Sequence, residues 1–538
     1  LTTGFNGVIA LDPVTGAELW RFDAGLDRDE TYSEVTSRGV AAWRDTMAEP
    51  GASCAARIFT GTIDGRLIAL DAASGRPCSS FGDDGVVELW RLARVEPGEV
   101  GDYQVTSAPV VVGDLVVVGP SIGDNWSVDT GDGSVRAFDA RTGELAWEWS
   151  PLAERDVGRV GAANAWSTMA VDTARGLVFV PTGSASPDFY GGLRPGDDRW
   201  ANSIVALDAA TGRLVWGFQT VHHDLFDYDV AAPPTLATVS RDGDSVPVVI
   251  QATKTGFVFV LDREDGTPIF GVEERPVPAS DVPGETASPT QPYPVAPLPL
   301  IDDEAASVTS PWGADSAHVA RCRELARGFR YEGTFTPPSL DGSLLYPGNG
   351  AGTNWGGVAV DPTRELVLVP TNRFGTLVRL IPAGEADAVV RRLRNAGWAD
   401  AELARQEGAP YAMLRMTWEV DGALCTPPPA GVLTAIDYAT GDVRWQVPLP
   451  TPGAGGPIVT GGGLAFMAGT TDAAIRAYDI ETGDVLWSAD LPRAGMATPM
   501  TYRGADGRQY VVVAAGGHGK WGLETGDYVV AFALPGGA

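Results

Sequence analysis

No stretch of this chain approaches the roughly 18 consecutive apolar residues that a membrane-spanning helix needs, so nothing in it reads as crossing a bilayer. A signal peptide is lacking at residue 1 as well. The sequence opens on Leu-Thr-Thr-Gly without Met, which reads as a processed or trimmed start. Positive charge is scarce: Lys and Arg number 39 against 69 Asp and Glu, a formal net charge of −30. Nucleic acid and anionic membrane surfaces both need basic patches, so both are excluded as partners. Such an acidic surface serves solubility first and the docking of a basic partner second. Lysine is scarcest of all, with only Lys254 and Lys520 among the basic residues. A Lys kept against that bias marks a place where a compact point charge serves and a planar guanidinium does not. Cysteine is limited to Cys54, Cys78, Cys322 and Cys425, and no C-x-x-C occurs, which excludes covalent c-type haem and zinc-ribbon readings. Cys54 and Cys78 flank a strand–turn–strand stretch that would bring them close. We expect disulfides Cys54–Cys78 and Cys322–Cys425 in an oxidising compartment, with four buried thiols in a cytosolic protein as the alternative.

What abounds is Gly (67) and Pro (40) over 538 residues, too much punctuation for a helical protein and suited to many short strands. The apolar fraction of 44% supports a large core and excludes global disorder. One pattern recurs: a few apolar residues, Asp, three residues, Gly, then an aromatic. It starts at Asp12…Gly16…Trp20. It returns at Asp71…Gly75, Asp139…Gly143…Trp147, Asp208…Gly212…Trp216, Asp262…Gly266…Phe270, Asp437…Gly441…Trp445 and Asp479…Gly483…Trp487. Each copy reads as a hairpin in which Asp bonds the turn backbone, Gly takes the positive φ, and the next strand carries a large ring. Such units, ~40–70 residues apart, predict an all-β chain, an eight-bladed β-propeller with Trp-docking motifs. The eighth blade is assigned to the degenerate Val358–Glu365, inside the long interval between Asp262 and Asp437. Residues 1–538 are read as a single domain. Residues 273–300 are Pro-rich and read as a connecting loop. Residues 384–413 have helical spacing and read as a short helical insertion, either a lid or a decorative excursion.

Three stretches carry a family resemblance: Val160-Gly-Ala-Ala-Asn-Ala-Trp166-Ser, Pro181-Thr-Gly-Ser-Ala-Ser-Pro-Asp188 and Phe218-Gln-Thr-Val-His-His-Asp-Leu-Phe-Asp227-Tyr-Asp229. With Ala252-Thr-Lys254, Phe335-Thr-Pro-Pro-Ser and Gly516-Gly-His518-Gly, they resemble the PQQ-dependent quinoprotein dehydrogenases, most closely the catalytic domain of the membrane-bound glucose dehydrogenases. The resemblance implies an eight-bladed propeller holding PQQ and a divalent cation, usually Ca²⁺. By position, Asp227 matches the catalytic base that takes the substrate hydroxyl proton; without the motif it would read as a turn or ion-pair residue. Asp124, with Asn125 and Asp227, matches the metal ligands, a hard-oxygen set. Ser184 or Ser186 stands where the family often has an Asn ligand. Trp166 matches the indole under the flat cofactor, although most of the 16 Trp read as core. Lys254 matches the cation at the quinone oxygens, and Arg38 the fork facing the cofactor carboxylates. Asn349, Asn354 and His518 match residues at the cofactor's edge. His222 and His223 read as structural.

Three departures shape the expectation. Glu34 stands near the substrate where the glucose enzymes have His. Tyr32 and Ser33 replace the vicinal cysteines of related alcohol dehydrogenases. The family's membrane anchor and first strand segment have no counterpart, so the expectation is either a missing N-terminal segment or a ring that closes differently. The expected activity is periplasmic, PQQ-dependent oxidation of a sugar, polyol or cyclic secondary alcohol, with electrons passing to a cytochrome c or a quinone. The alternatives are a glucose or hexose dehydrogenase proper, and a non-enzymatic propeller scaffold.

Overall fold

The computed structural model describes every residue except 50, 129, 154–159, 242, 395–397, 399–400 and 535–538. The chain divides into two compact units. The first is Leu1–Val230 with Arg405–Ala409; the second is Ala231–Ala404 with Pro410–Ala538.

The repeated turn forms as its chemistry predicts. Asp139 Oδ1 accepts from the amides of Arg141 and Thr142, both at 2.8 Å, and Asp479 Oδ1 from those of Glu481 and Thr482 at 2.8 and 3.2 Å. Gly143 and Gly483 then take φ of 75° and 76°, a region open to glycine at no steric cost. The ring that follows lies on the next hairpin. Trp147 donates its indole N–H to the Ala209 carbonyl at 2.9 Å, and a Cβ on Gly212 would stand 2.5 Å from its ring. Trp20 meets Ala72 and Gly75 in the same way, as Trp445 does Ile480 and Gly483.

In the first unit, three four-stranded antiparallel meanders run Ala41–Glu88, Val110–Trp149 and Ala170–Gln219, beside the hairpin Val8–Leu11/Glu18–Phe22. Their cores are Val, Leu, Phe and Trp from alternate strand positions, for example Val117, Ala137, Trp147, Val178 and Val205. In the second unit, four-stranded sheets contain Thr376–Pro382, Leu366–Asn372 and Ala474–Asp479, and three-stranded sheets contain Asp244–Ala252 and Gln509–Ala515. The architecture is all-β with few helices.

Sheet pairing corrects several expectations. The degenerate Val358–Glu365 is no separate unit. Its strand Ala359–Asp361 pairs with Leu366–Asn372, which joins the Asp437 hairpin in one sheet. Conversely, the sheet built on Ser343–Leu345, Thr376–Pro382 and Tyr411–Thr417 carries no copy of the repeat. The Pro-rich stretch 273–300 holds the hairpin Val272–Pro276/Thr290–Pro294 rather than a bare loop. In 384–413, helix covers only Ala386–Arg394, and Glu402–Ala404 is a strand; residues 395–397 and 399–400 of that insertion lie outside the described residues. A helix that the spacing did not announce, Ser316–Leu325, is capped by Asp315, which accepts from His318 N at 2.8 Å. That helix carries Cys322. Both expected disulfides, Cys54–Cys78 and Cys322–Cys425, are present.

Candidate active site

In the first unit, carboxylates converge. Asp124, Asp227 and Asp229 each offer an oxygen, and these lie within 4.8 Å of one another. Asp227 and Asp229 are 8% and 4% exposed. Three carboxylates this close and this buried repel one another and favour a cation between them. The backbone is bent to bring them there, with Asp227 at φ 58° and His223 at φ 46°. Asp124 and the half-buried Asn125 stand in the turn after Ser121, and the Asp124 carbonyl accepts from Asp188 N at 3.3 Å.

Trp166 is half-buried, and its N–H donates to Asp229 Oδ2 at 3.3 Å. Asp229 Oδ1 accepts from Ser184 N at 2.5 Å, so this one carboxylate ties the indole to the Ser184 strand. The Ser184 hydroxyl donates to Asp224, and the Ser186 hydroxyl to the Ser127 carbonyl. Both serines thus brace the loops. Over the Trp166 ring stands the Arg38 guanidinium, 4.8 Å from the centroid, paired with Glu34 at 3.3 Å. Burial lowers the Arg38 pKa, and the Glu34 charge opposes that shift.

Several bracing residues were not legible in the sequence. Asp224, 1% exposed, accepts from the amides of Phe226 and Tyr228, both at 3.0 Å, and so shapes the turn that presents Asp227. Burial pushes its pKa up to about 6, with Asp229 and Asp227 adding to the rise against the bonds from Ser184 and Phe226. Arg194, 2% exposed, donates to the carbonyls of Pro187, Asp188 and Asp224 and pairs with Asp198. Gln406, fully buried, accepts from Phe189 N at 3.2 Å, while Glu407 N donates to the Trp126 carbonyl at 2.7 Å. Gln406 and Glu407, which belong to the first unit, are therefore tied to the loops around Asp124 and Asp188. His222 and His223 bond Gln219 and the Gly196 carbonyl. Asp229 alone had a sequence signal, the Asp-x-Asp spacing with Asp227.

In the second unit, Lys254 is 5% exposed in the turn between Asp244–Ala252 and Val258–Asp262, closed by Gly256 at φ 76°. Thr353 N donates to the Thr253 carbonyl at 3.0 Å, and a Cβ on Gly352 would collide with the Lys254 carbonyl at 2.1 Å. Asn354 follows on this clamped loop. The next residue, Trp355, stacks on His518 with centroids 6.3 Å apart. Asn349, half-buried on the same loop, accepts from Thr376 Oγ1 at 3.3 Å. Lys254, Asn354 and His518 thus belong to one neighbourhood.

A family model described as "PQQ: Glucose/ethanol/alcohol dehydrogenase, beta-propeller domain" matches residues 1–511. The chain belongs to the PQQ-dependent quinoprotein dehydrogenases. It is 37% identical to the quinoprotein glucose dehydrogenase of Escherichia coli (strain K12), over 99% of this chain and 71% of that one. It is 36% identical to the quinate/shikimate dehydrogenase (quinone) of Acinetobacter baylyi, with the same coverage. It is 37% identical to the glycerol dehydrogenase large subunit of Gluconobacter oxydans, over 98% and 76%. The solved quinohemoprotein alcohol dehydrogenase of Comamonas testosteroni matches the fold with a TM-score of 0.71 at 24% identity, covering all of this chain and 73% of that one. This quinoprotein is therefore an oxidoreductase of the glucose, quinate, polyol and alcohol type, with PQQ as its family's cofactor. The scaffold alternative falls with that finding.

Proposed function

We propose that this quinoprotein oxidises one hydroxyl of a sugar, polyol or cyclic secondary alcohol to the carbonyl, and that Asp227 is its base. The observation that carries the reading is the Asp124–Asp227–Asp229 cluster, with Asp227 and Asp229 buried and Asp229 bonded to Trp166. Asp124, Asn125 and Asp229 would hold a divalent cation, usually Ca²⁺ in this family, together with one oxygen of Asp227. The other oxygen of Asp227 accepts the hydroxyl proton. When bound, PQQ supplies the two-electron acceptor for the substrate carbon. Trp166 offers its ring to the flat cofactor and Arg38 its fork to the cofactor's carboxylates. Lys254 supplies positive charge where negative charge grows on reduction. Asn349, Asn354 and His518 are assigned to its edge, and Ser184 and Ser186, which stand at the position of the family's Asn ligand, bond Asp224 and the Ser127 carbonyl.

Glu34 in place of His argues against glucose and for a substrate chosen by a carboxylate. The named substrates of the relatives, glucose, quinate or shikimate and glycerol, are hydroxylated small molecules and set the panel. Electrons leave to an external acceptor, a cytochrome c or a quinone, and the periplasm is the compartment that two disulfides suit. The eight-bladed ring and the single domain over 1–538 belong to this reading, supported by the continuous family match.

The test is dye reduction by the apo-protein across that panel, with and without PQQ and Ca²⁺. Turnover that needs both additions is expected. Turnover without PQQ, or none with any hydroxylated substrate, overturns the reading.

A further inference from the structure

The Arg38–Glu34 pair sits in a telling place. The guanidinium covers a face of the Trp166 indole at 4.8 Å, and Nη1 also donates to the Trp166 carbonyl at 3.4 Å. Glu34 takes Nη2 at 3.3 Å, and the two side chains are 12% and 35% exposed. Both ends are anchored on one buried segment. Glu34 N donates to Gln104 Oε1 at 3.1 Å, and Gln104 Nε2 donates to the Glu34 carbonyl at 2.7 Å. Arg38 N donates to the Thr106 carbonyl at 3.0 Å, and Thr106 Oγ1 to the Trp166 carbonyl at 3.3 Å. The indole is fixed by its bond to Asp229, so it does not turn away without losing that partner. A flat ring stacked on the covered face needs the space the guanidinium occupies.

We infer that Glu34 is a resident carboxylate that holds Arg38 over Trp166 until a ligand carboxylate replaces it. Loading of this face is then a carboxylate-for-carboxylate exchange. It selects planar ligands that carry carboxylates over bare planar rings, because a bare ring displaces Arg38 and gives it nothing in return. The inference rests on the PQQ reading above, and it makes Glu34 a positioning residue for Arg38 rather than only a neighbour of the substrate.

The experiment is a binding one. Dissociation constants for PQQ, and for phenanthrenequinone as a flat quinone without carboxylates, are measured on the full chain in saturating Ca²⁺ by calorimetry. The proteins are wild type, Glu34→Gln, Arg38→Ala and the double variant, each checked by thermal melting. Glu34→Gln is expected to tighten PQQ about fivefold, the upper range for a part-exposed ion pair. That gain should vanish in the Arg38→Ala background, and phenanthrenequinone should bind wild type more weakly than PQQ. An equal gain with and without Arg38 would mean plain charge repulsion and overturns the exchange; so does an unchanged or weaker constant in Glu34→Gln. Glu34→Asp, which shortens the reach, serves if the Gln variant does not fold, and a gain smaller than fivefold but lost without Arg38 supports the exchange. Wild type that binds no PQQ overturns the cofactor reading itself, a different result from wild type that binds PQQ without coupling.

Discussion

The two compact units solve different electrostatic problems. The second places the buried Lys254 on a hairpin turn closed by Gly256. The first crowds Asp124, Asp227 and Asp229 to within 4.8 Å on irregular loops, two of whose residues, His223 and Asp227, take left-handed backbone. Lys254 sits on one short turn, clamped by the Gly352–Thr353 loop. Several like charges need loops that are tied down, and here Asp224, Arg194 and Gln406 supply the ties. The difference teaches that effort in the fold follows charge density.

The sharpest way to break this comparison is to remove one charge from each unit. If Asp227 is the base proposed above, Asp227→Asn should lower kcat on the order of 10³-fold. If Lys254 is the proposed stabilising cation, Lys254→Ala should cost on the order of 10²-fold. Single-turnover dye reduction with PQQ and Ca²⁺ at saturation checks both. A larger loss for Lys254→Ala would reverse the ranking and move the centre of the chemistry to the second unit.

The legibility of the sequence divides in the same way. The hairpins were readable because Asp, Gly and the following Trp act within one turn, where local chemistry decides. Assigning Val358–Glu365 to an eighth unit failed because strand pairing is not local: Leu366–Asn372 takes Gly431–Asp437 as its partner across the sequence between them. Helical spacing over 384–413 overreached, since among the described residues α-helix covers Ala386–Arg394 and Glu402–Ala404 is a strand. At the candidate site, Asp227 and Trp166 were singled out only through the family's long motifs, whereas Lys254 also stood out as one of two lysines in the chain. Asp224, Arg194 and Gln406 were not readable at all, because what makes them matter is burial and distant partners. Gln406 reaches Phe189 from 217 positions away.

The disulfides sharpen the contrast through stability. Cys322–Cys425 joins positions 103 apart in the second unit, and Cys54–Cys78 positions 24 apart in the first. Chain entropy then gives about 4.7 kcal/mol for the first pair named and about 3.4 for the other. Double Cys→Ser variants should follow that order in urea unfolding, and the reverse order would mean that the loops, not the chain separation, set the worth of each bond.

Asp224 gives a pH signature to the first unit. Its pKa in the folded state is about 6, above the ordinary 3.8, so the folded state binds more protons between those values. Stability from this group therefore falls as pH rises from about 4 to about 6, and the full cost of about 3 kcal/mol stands above pH 6. In metal-free protein, wild type should lose stability relative to Asp224→Asn between pH 4.5 and 7. A difference that does not change with pH would show that the carboxylate is ionised throughout.

The smallest effect compares one repeat position in the two units. Trp147 is 6% exposed, bonds the Ala209 carbonyl and lies on Gly212. Trp487 holds the same place in its hairpin but is 39% exposed, with an edge contact to Phe532 at 5.1 Å. If burial decides, Trp487→Ala costs about 1 kcal/mol and Trp147→Ala about 3 or more, as for an aromatic removed from a core. Equal costs in urea unfolding would mean that the repeat position itself carries the energy, through a partner that Trp487 meets only in the unfolded chain or in a larger assembly. Unequal costs would mean that two copies of the same sequence signal are unequal structural parts, each worth what its neighbours cover.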